Sequence, residues 1–433
     1  MSLFAGISRR EITPDKSLPL AGYAGGPRIS TGVHDPLYAT ALYLEDGGNA
    51  VVFISVDVLM LPHEIVNACR ERIADQVKLP ASHVLISATH THSAPAVMSM
   101  PALWDATTPL PADESYVEKV TQQIVAAAEA AWRSAVPARA AQTSAFIDGV
   151  GGNRQNPYGI RDRQAHLLYL QDQDTHAPLA LSLVYAMHPT VLHADSTLIS
   201  ADFPGFTRQE LETHLPGLTT IYHNGASGNL STRHHVNENT FREAERLGRR
   251  LGNLVWEVLA ELRQVDFQET LSIKVKQSFV RLPFRRLPSM EQAESTLRAI
   301  EETYRRLSSE SAAYGTLRTA EVDRLGAQAQ LALVIAEERG ELNHLRHYYE
   351  QVEVQVIELG EAVYIGLPGE FFVEYGLELK RRVGRPTAVI GLANGELGGY
   401  IVTPEAQGYE ADFSLFAPEA GSAIVEATLG MMR

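Results

Sequence analysis

The sequence predicts an α/β protein whose mixed β-sheet core is flanked by helices, with a charged helical hairpin inserted near residues 289–348. Two observations predict this class. Short and almost continuous apolar runs recur along the chain, which is typical of strands that are covered on both faces. Amphipathic segments with helical spacing lie between several of these runs. We expect one domain over residues 1–433, with the hairpin inside it.

Six of the apolar runs are predicted to be buried strands. Each is short, contains β-branched residues, and lacks the polar alternation that marks a strand with one face in water. The runs cover residues 51–56, 84–87, 181–185, 219–222, 363–366 and 387–390. We predict a mixed sheet and not an all-parallel one.

Helices are predicted between the strands and within the hairpin. Residues 64–76 and 116–132 each place apolar side chains on one helical face. In the hairpin, Ser289 and Gln292 fit a capping box, and a second helix is predicted over residues 319–339. Because the hairpin is highly charged, we interpret it as a solvated arm or an oligomer contact.

The composition excludes several classes of function. Lys and Arg number 37 against 52 Asp and Glu, and a net charge of −15 disfavours binding to nucleic acid or to anionic membranes. No apolar run is long enough to insert stably into a bilayer. Cys69 is the single cysteine, so an intrachain disulfide is excluded. Arg9 and Arg10 follow a very short apolar stretch, the reverse of a signal peptide, and we predict a cytoplasmic protein.

Polar or ionisable side chains follow all six predicted strands. In α/β sheets the ligand crevice lies beyond the carboxyl ends of the strands, so these groups are expected to share one site. His90 and His92 would face the same cavity, because residues i and i+2 of an extended backbone point to the same side. A catalytic zinc ion typically has three protein ligands plus water, and His90, His188 and Glu370 would supply such a set.

Other readings of these strand ends stay open. The segment Gly-Ala-Ser-Gly-Asn at 225–229 is one glycine short of a nucleophile elbow, which keeps a serine hydrolase as an alternative. Asp57 and His34 are candidates for orienting the metal ligands from outside. His193 and Asp195 could line a polar pocket, and a second metal near either of them or near Asp57 is a further alternative.

Six short motifs occur in order along the chain. They are GVHDPLYATA at 32–41, THTHSAP at 89–95, NRQNP at 153–157, HPT at 188–190, GNLS at 228–231 and GYIVTPE at 399–405. In order and spacing they resemble the catalytic domain of the neutral/alkaline non-lysosomal ceramidases over nearly the whole chain. That family consists of zinc-dependent amide hydrolases that split the N-acyl bond of ceramide. The resemblance therefore implies a Zn²⁺ cofactor and hydrolysis of a linear amide.

The resemblance also implies which residues hold the zinc. Matched position by position, the ligands would be His90, His188, Glu370 and Tyr400. A zinc ion held there would activate a water molecule and polarise the amide carbonyl. His92 would be the general base, since an imidazole can both accept and deliver a proton at neutral pH.

The remaining implied roles concern the oxyanion. Arg154 and Tyr409 would stabilise it, and Ser231 matches a serine of the family's Gly-Asp-x-Ser-Pro segment. The chain departs from the family at two of these places. Gln155 and Asn156 replace the single serine of the family's Asn-Arg-Ser-Pro motif, and the stretch that leads to Tyr409 is shorter.

The predicted substrate differs from the family name. The family tends to be secreted or membrane-associated and carries an immunoglobulin-like C-terminal domain, whereas this chain ends at Arg433 directly after the motifs. We therefore predict a small-molecule amide substrate that is smaller or more polar than ceramide. An esterase or lactonase using the same zinc site, and a metal-bound binding protein without turnover, are the alternatives. A homo-oligomer is also left open.

Overall fold

Two β-sheets lie face to face at the centre of the protein, and helices cover their outer faces. The structure is a computed structural model that describes residues 2–23, 28–98, 112–312 and 314–432. Its strands, in chain order, are β1 (Phe4–Glu11), β2 (Pro19–Leu20), β3 (Arg28–Ile29), β4 (Gly32–Val33), β5 (Tyr38–Asp46), β6 (Asn49–Val56), β7 (Val84–Ala88), β8 (Val136–Phe146), β9 (Gly152–Asn153), β10 (Gln164–Asp172), β11 (Pro178–Tyr185), β12 (Leu198–Ile199), β13 (Thr219–Asn224), β14 (Leu230–Ser231), β15 (Ile273–Val280), β16 (Val352–Leu359), β17 (Ala362–Gly366), β18 (Glu370–Phe371), β19 (Thr387–Ile390) and β20 (Tyr400–Ile401).

The larger sheet has the order β13-β11-β10-β8-β1-β5-β6-β7, and the smaller sheet has the order β15-β16-β17-β19. Within the described chain, parallel pairing in these two sheets is confined to β6 with β7, β11 with β13, and β17 with β19. These pairs contain all six strands predicted from the sequence. The predicted α/β class and mixed sheet are confirmed, and the strands divide between two sheets.

Apolar side chains fill the space between the two sheets. The β6 residue Phe53 meets the β17 residue Tyr364 edge to face, with ring centres 5.3 Å apart. Leu85 of β7 and Ile390 of β19 belong to the same buried cluster. Each sheet is therefore covered on both faces near its parallel pairs, which explains why their sequences read as continuous apolar runs.

Helices pack on the two outer faces. Helices α1 and α2 cover β5 to β7, α3 and α4 cover the β10 to β13 end of the larger sheet, and α8 and α10 cover the smaller sheet. No helix in the part of the chain that the structure describes combines the length and apolar composition that a bilayer span requires. The helices are α1 (His63–Val77), α2 (Glu114–Arg133), α3 (Asp202–His214), α4 (Phe241–Ala260), α5 (Met290–Ser309), α6 (Tyr314–Glu338), α7 (Leu342–Tyr348), α8 (Val373–Val383), α9 (Tyr409–Phe413) and α10 (Glu419–Gly430).

The predicted hairpin is present as α5 and α6, and the short helix α7 follows it. Ser289 and Gln292 form the expected capping box at the start of α5. The second helix begins at Tyr314, upstream of the predicted start, and Gly340 beyond its end has a φ of 72°. Helix α6 packs against α9, so the hairpin is not the freely solvated arm that its charge suggested.

Backbone hydrogen bonds join the two sheets where the parallel strands end. Gly391 N, just after β19 in the smaller sheet, donates to Asn224 O at the end of β13 in the larger sheet, at 2.9 Å. Asn394 N likewise donates to Ile86 O of β7 at 2.7 Å. The loops that follow all three parallel pairs therefore meet at one end of the stacked sheets.

Candidate metal centre

Three histidine side chains converge at the carboxyl ends of β7 and β11. His90 Nε2 lies 3.1 Å from His188 Nε2 and 3.3 Å from His92 Nε2. His90 and His188 are buried, whereas His92 is half-buried. One ring nitrogen from each of the three lies within 4.8 Å of the others, close enough for all three to bind a single metal ion.

The other ring nitrogen, Nδ1, of each histidine lies beside a backbone carbonyl. A carbonyl oxygen only accepts, so each Nδ1 carries the proton and donates it. A neutral imidazole then presents an unprotonated Nε2, and three such lone pairs at these distances repel one another unless a cation lies among them. The Nδ1 to carbonyl pairs are His90 with Leu59 at 2.7 Å, His188 with Ser227 at 2.8 Å, and His92 with Gly22 at 2.8 Å.

A carboxylate completes the convergence. Glu370 Oε2 lies 3.0 Å from His188 Nε2 and 3.3 Å from His90 Nε2, yet it has no hydrogen-bond partner within the described residues. Burial, with a further contribution from Arg154, lowers the pKa of His188 to about 4, so the ring is neutral at physiological pH. A buried carboxylate oxygen without a proton donor is unfavourable alone and fits a metal ion.

Tyr400 lies next to this carboxylate. In the short parallel pair of β18 and β20, Glu370 and Tyr400 are direct partners, and directly opposed residues point to the same face. The Tyr400 ring is buried beneath the Arg154 guanidinium, whose central carbon is 5.3 Å from the ring centre. Imidazole nitrogens, a carboxylate and a phenol in one buried cluster fit zinc, and neutral imidazoles are the form that binds metal.

The backbone at His90 differs from the expected geometry. His90 has a φ of 71°, a left-handed conformation that is uncommon for a residue other than glycine. The segment is therefore not extended. The expectation that His90 and His92 point to the same side of an extended backbone was wrong in that premise. The two rings nevertheless meet, because His90 N is held by Val58 O at 3.0 Å and Thr91 Oγ1 by Ser200 O at 2.7 Å.

Arg154 is fixed by a carboxylate that sequence reasoning missed. Arg154 Nε donates to Glu410 Oε1 at 2.6 Å, and both side chains are buried. The second oxygen of Glu410 accepts from Gln155 Nε2 at 2.8 Å. Arg154 Nη2 is buried and makes no hydrogen bond within the residues described. No motif singled out Glu410, and its place directly after Tyr409 was the one available signal.

The other two implied site residues also lie nearby. Tyr409 begins α9, and its ring centre is 5.9 Å from that of Tyr400. Burial raises the pKa of Tyr409 to about 12, so its hydroxyl keeps its proton. Ser231 pairs through its backbone with His188, and its Oγ accepts from Arg233 N at 3.2 Å.

An aromatic wall stands on the other side of His92. The Tyr23 ring centre is 5.0 Å from that of His92 and 5.2 Å from that of His193. The guanidinium carbon of Arg28 lies 5.0 Å from the Tyr23 ring centre. His193 is therefore separated from His92 by one ring, and Tyr23 was not predicted because no motif includes it.

Two expected supporting residues lie elsewhere. Asp57 forms a double ion pair with Arg208, at 2.9 and 2.7 Å, in the protein interior. His34 hydrogen-bonds Asp35 at 2.9 Å and stacks on Phe241 with ring centres 3.8 Å apart. The expectation that Asp57 and His34 orient the metal ligands is therefore corrected, because other groups occupy both side chains.

Comparisons with known proteins indicate the family to which this chain belongs. A family model described as neutral/alkaline non-lysosomal ceramidase, N-terminal, matches residues 4–226. The neutral ceramidase of Pseudomonas aeruginosa is 23% identical, with 95% of this chain aligned to 69% of that protein. The neutral ceramidase of Drosophila melanogaster is 27% identical over 48% of this chain and 32% of that protein.

Solved structures show the same fold. A crystal structure of the Pseudomonas aeruginosa neutral ceramidase superimposes with a TM-score of 0.74 at 21% identity, covering 100% of this chain and 74% of that one. A structure described as ceramidase complexed with C2 gives a TM-score of 0.75 at 18% identity, covering 100% of this chain and 75% of that one. This chain belongs to the neutral/alkaline non-lysosomal ceramidase family.

Proposed function

We propose that this chain is a zinc-dependent hydrolase that cleaves an N-acyl bond of a linear amide smaller or more polar than ceramide. The observation that carries the proposal is the convergence of unprotonated imidazole nitrogens on Glu370 Oε2, which has no hydrogen-bond partner among the described residues. Family membership supports hydrolysis of an amide bond, because the matched relatives are named neutral ceramidases.

In this proposal His90, His188, Glu370 and Tyr400 hold the zinc. When bound, zinc supplies an activated water molecule and polarises the substrate carbonyl. His92 is the most exposed of the three histidines, and its Nδ1 is fixed by Gly22 O, which leaves Nε2 free to accept a proton. Burial, reinforced by the neighbouring histidines, holds the pKa of His92 well below its usual value, so the ring begins unprotonated.

Arg154 and Tyr409 act on the developing oxyanion. Arg154 Nη2, which has no partner in the part of the chain that the structure describes, and the protonated hydroxyl of Tyr409 are both donors. Each such donor typically contributes about 3 kcal/mol to transition-state stabilisation. Ser231 steadies the turn beside His188 by accepting from Arg233 N. A metal-bound scaffold without turnover is less well supported, because Arg154 and Tyr409 both pack against Tyr400.

The polar walls support a polar substrate. Tyr23 and His193 lie on the His92 side, while Gln155 and Glu410 lie on the Arg154 side. All four of these side chains are polar. Remote acyl methylenes would therefore gain little binding energy from these walls.

A lipid amide such as ceramide is the second candidate, and one observation favours it. On the loop after Arg154, the Tyr158 side chain is 96% exposed and Ile160 is 56% exposed. Exposed apolar groups beside a site can dock a lipid substrate or a membrane surface. Tyr158→Ser combined with Ile160→Ser should leave hydrolysis of short amides unchanged and reduce hydrolysis of a lipid amide in detergent.

The test of the proposed function is a substrate series. N-acyl compounds of one amine, from acetyl to long-chain ceramide in detergent, are assayed with zinc-loaded protein for kcat/KM. We expect kcat/KM to fall as the acyl chain lengthens, and an increase up to ceramide would favour the second candidate. Matched esters separate an esterase or lactonase from an amidase. Zinc-loaded protein that turns over neither class would support the binding protein without turnover.

A further inference from the structure

Helix α6 of the charged hairpin packs against α9, and α9 carries Glu410, which contacts the Arg154 guanidinium beside the metal centre. We infer that Glu410 is a positioning residue for Arg154, and that α6 determines where Glu410 stands. The inference rests on the proposed function, since it assigns Arg154 to an oxyanion. It gives the hairpin, which the sequence suggested to be a solvated arm or an oligomer contact, a role in positioning Arg154.

The first step is the contact between the two buried side chains. Glu410 Oε1 accepts from Arg154 Nε at 2.6 Å, which fixes the plane of the guanidinium because its nitrogens form a rigid fork. The direction of Nη2, which makes no hydrogen bond to any described residue, is then fixed as well. Burial alone would lower the pKa of Arg154, but Tyr400, Glu410 and Glu370 raise that pKa by more. The guanidinium therefore stays positively charged.

The second step concerns Gln155. The family motif has serine after the arginine, whereas this chain has Gln155, whose amide donates to Glu410 Oε2 at 2.8 Å. Both oxygens of Glu410 are thereby occupied by consecutive residues of one loop. The departure from the family motif and the carboxylate on α9 are therefore parts of one hydrogen-bonded unit.

The third step is the support of α9. A helix of five residues is too short to be stable alone, so its position depends on its neighbours. Gly326 of α6 allows the two helices to approach closely, because a Cβ there would lie 2.8 Å from Tyr409 Cα. Two side chains add hydrogen bonds, Gln330 Nε2 to Asp412 Oδ1 at 2.7 Å and Arg285 Nη1 to Ala411 O at 2.7 Å.

The experiment measures binding of inorganic phosphate, a tetrahedral oxyanion, to the zinc-loaded full chain by calorimetry. Glu410→Ala should weaken phosphate binding by about tenfold or more. The Arg154 guanidinium would no longer be held in place, and even a small displacement would cost it its contact with the phosphate. If the substitution acted only by removing a negative charge, phosphate would bind more tightly, because an anion would be repelled less. Glu410→Gln should restore most of the binding, because its amide oxygen can still accept from Arg154 Nε.

The hairpin is tested with a matched pair of glycines. Gly326→Ala, whose new methyl overlaps the Tyr409 backbone, should reproduce the loss of phosphate binding with the zinc content retained. Gly430→Ala is the control, because a Cβ at Gly430 meets no atom of the described residues within 4 Å. Gln330→Ala is a milder variant that serves if Gly326→Ala does not fold.

The outcomes separate this inference from the proposed function. Unchanged or tighter phosphate binding in Glu410→Ala would overturn the inference, and so would a wild-type protein that holds zinc but binds no phosphate. Absence of amide turnover in a wild-type protein that shows all the expected phosphate effects would instead overturn the proposed function. In an active enzyme, Glu410→Ala should lower kcat with little change in KM.

Discussion

Glu370 lies directly opposite Tyr400 in a two-residue parallel ladder, although the two residues are thirty positions apart in the chain. Backbone hydrogen bonding therefore brings a carboxylate and a phenol to the same face. The Tyr400 ring also lies beneath the Arg154 guanidinium. Tyr400 is therefore next to both Glu370, a proposed zinc ligand, and Arg154, a proposed oxyanion donor.

Tyr400→Phe tests whether the phenol oxygen is a ligand. The variant keeps the ring that packs against Arg154 and Tyr409 and removes a single oxygen atom. Zinc affinity should fall by more than the roughly 10–100-fold that loss of an outer-shell partner typically causes, as measured by competition with a chromogenic chelator. Tyr409→Phe is the matched control and should retain zinc. Equal affinity in Tyr400→Phe and the wild type would remove Tyr400 from the ligand set.

The purified protein should carry about one zinc ion per chain, and His90→Ala or His188→Ala should lose both the metal and the activity. The reason is that each ring contributes an unprotonated Nε2 to the cluster. Metal content is measured by atomic emission after dialysis. His347→Ala, at a surface ring whose side chain is 88% exposed, is the matched control. Full metal content in both active-site variants would contradict the assignment.

His92→Ala separates binding from chemistry. If His92 is the general base, the variant should keep zinc while kcat falls by roughly 10²–10⁴-fold, the usual contribution of a positioned acid or base. Gly22→Ala should also lower kcat while the imidazole itself is kept. A Cβ at Gly22 would lie 2.5 Å from His92 Nδ1 and would displace the ring. Loss of zinc from His92→Ala would show instead that His92 is a ligand.

Glu396 should make stability depend on pH. Both of its oxygens accept from the Tyr349 hydroxyl, at 2.8 and 2.9 Å, and burial raises the pKa of Glu396 from 4.5 to about 7. The unfolded chain releases this proton near pH 4.5, whereas the native state keeps it up to about pH 7. The free energy of unfolding should therefore fall as pH rises through this window, by roughly 3 kcal/mol for this group.

Urea unfolding from pH 4.5 to above pH 7 measures this dependence. Glu396→Gln should remove the contribution and flatten the curve relative to the wild type. Tyr349→Phe removes the donor that favours the ionised form, so the decline should extend to higher pH. Parallel curves for Glu396→Gln and the wild type would show that Glu396 has an ordinary pKa.

The part of the fold that sequence reasoning found is the part that is buried on both faces. All six predicted strands belong to the parallel pairs, where continuous apolar runs are required. The strands whose pairing is only antiparallel were not predicted. Strand β8 is rich in alanine and polar residues, and β15 is exposed or half-buried at every position after Ile273, so neither has a continuous apolar run.

The site shows the same division. His90, His188 and Glu370 follow predicted strands, so the rule for the carboxyl ends of strands placed them together before the structure was known. Glu410 and Tyr23 stand at the site through packing between elements far apart in the chain, and no local pattern encodes that packing. The positive φ of His90 was also not predictable, because the surrounding hydrogen bonds impose it.

The histidines of the cluster follow strands of the larger sheet, whereas Glu370 follows a strand of the smaller one. A metal ion held by both groups is therefore a cross-link between the two halves of the sandwich. Ligand binding to the native state alone stabilises it by about 4 kcal/mol at a thousandfold excess over Kd, a large fraction of typical domain stability. Metal starvation would then lower the amount of folded protein as well as its activity, because unfolded chains are open to proteases.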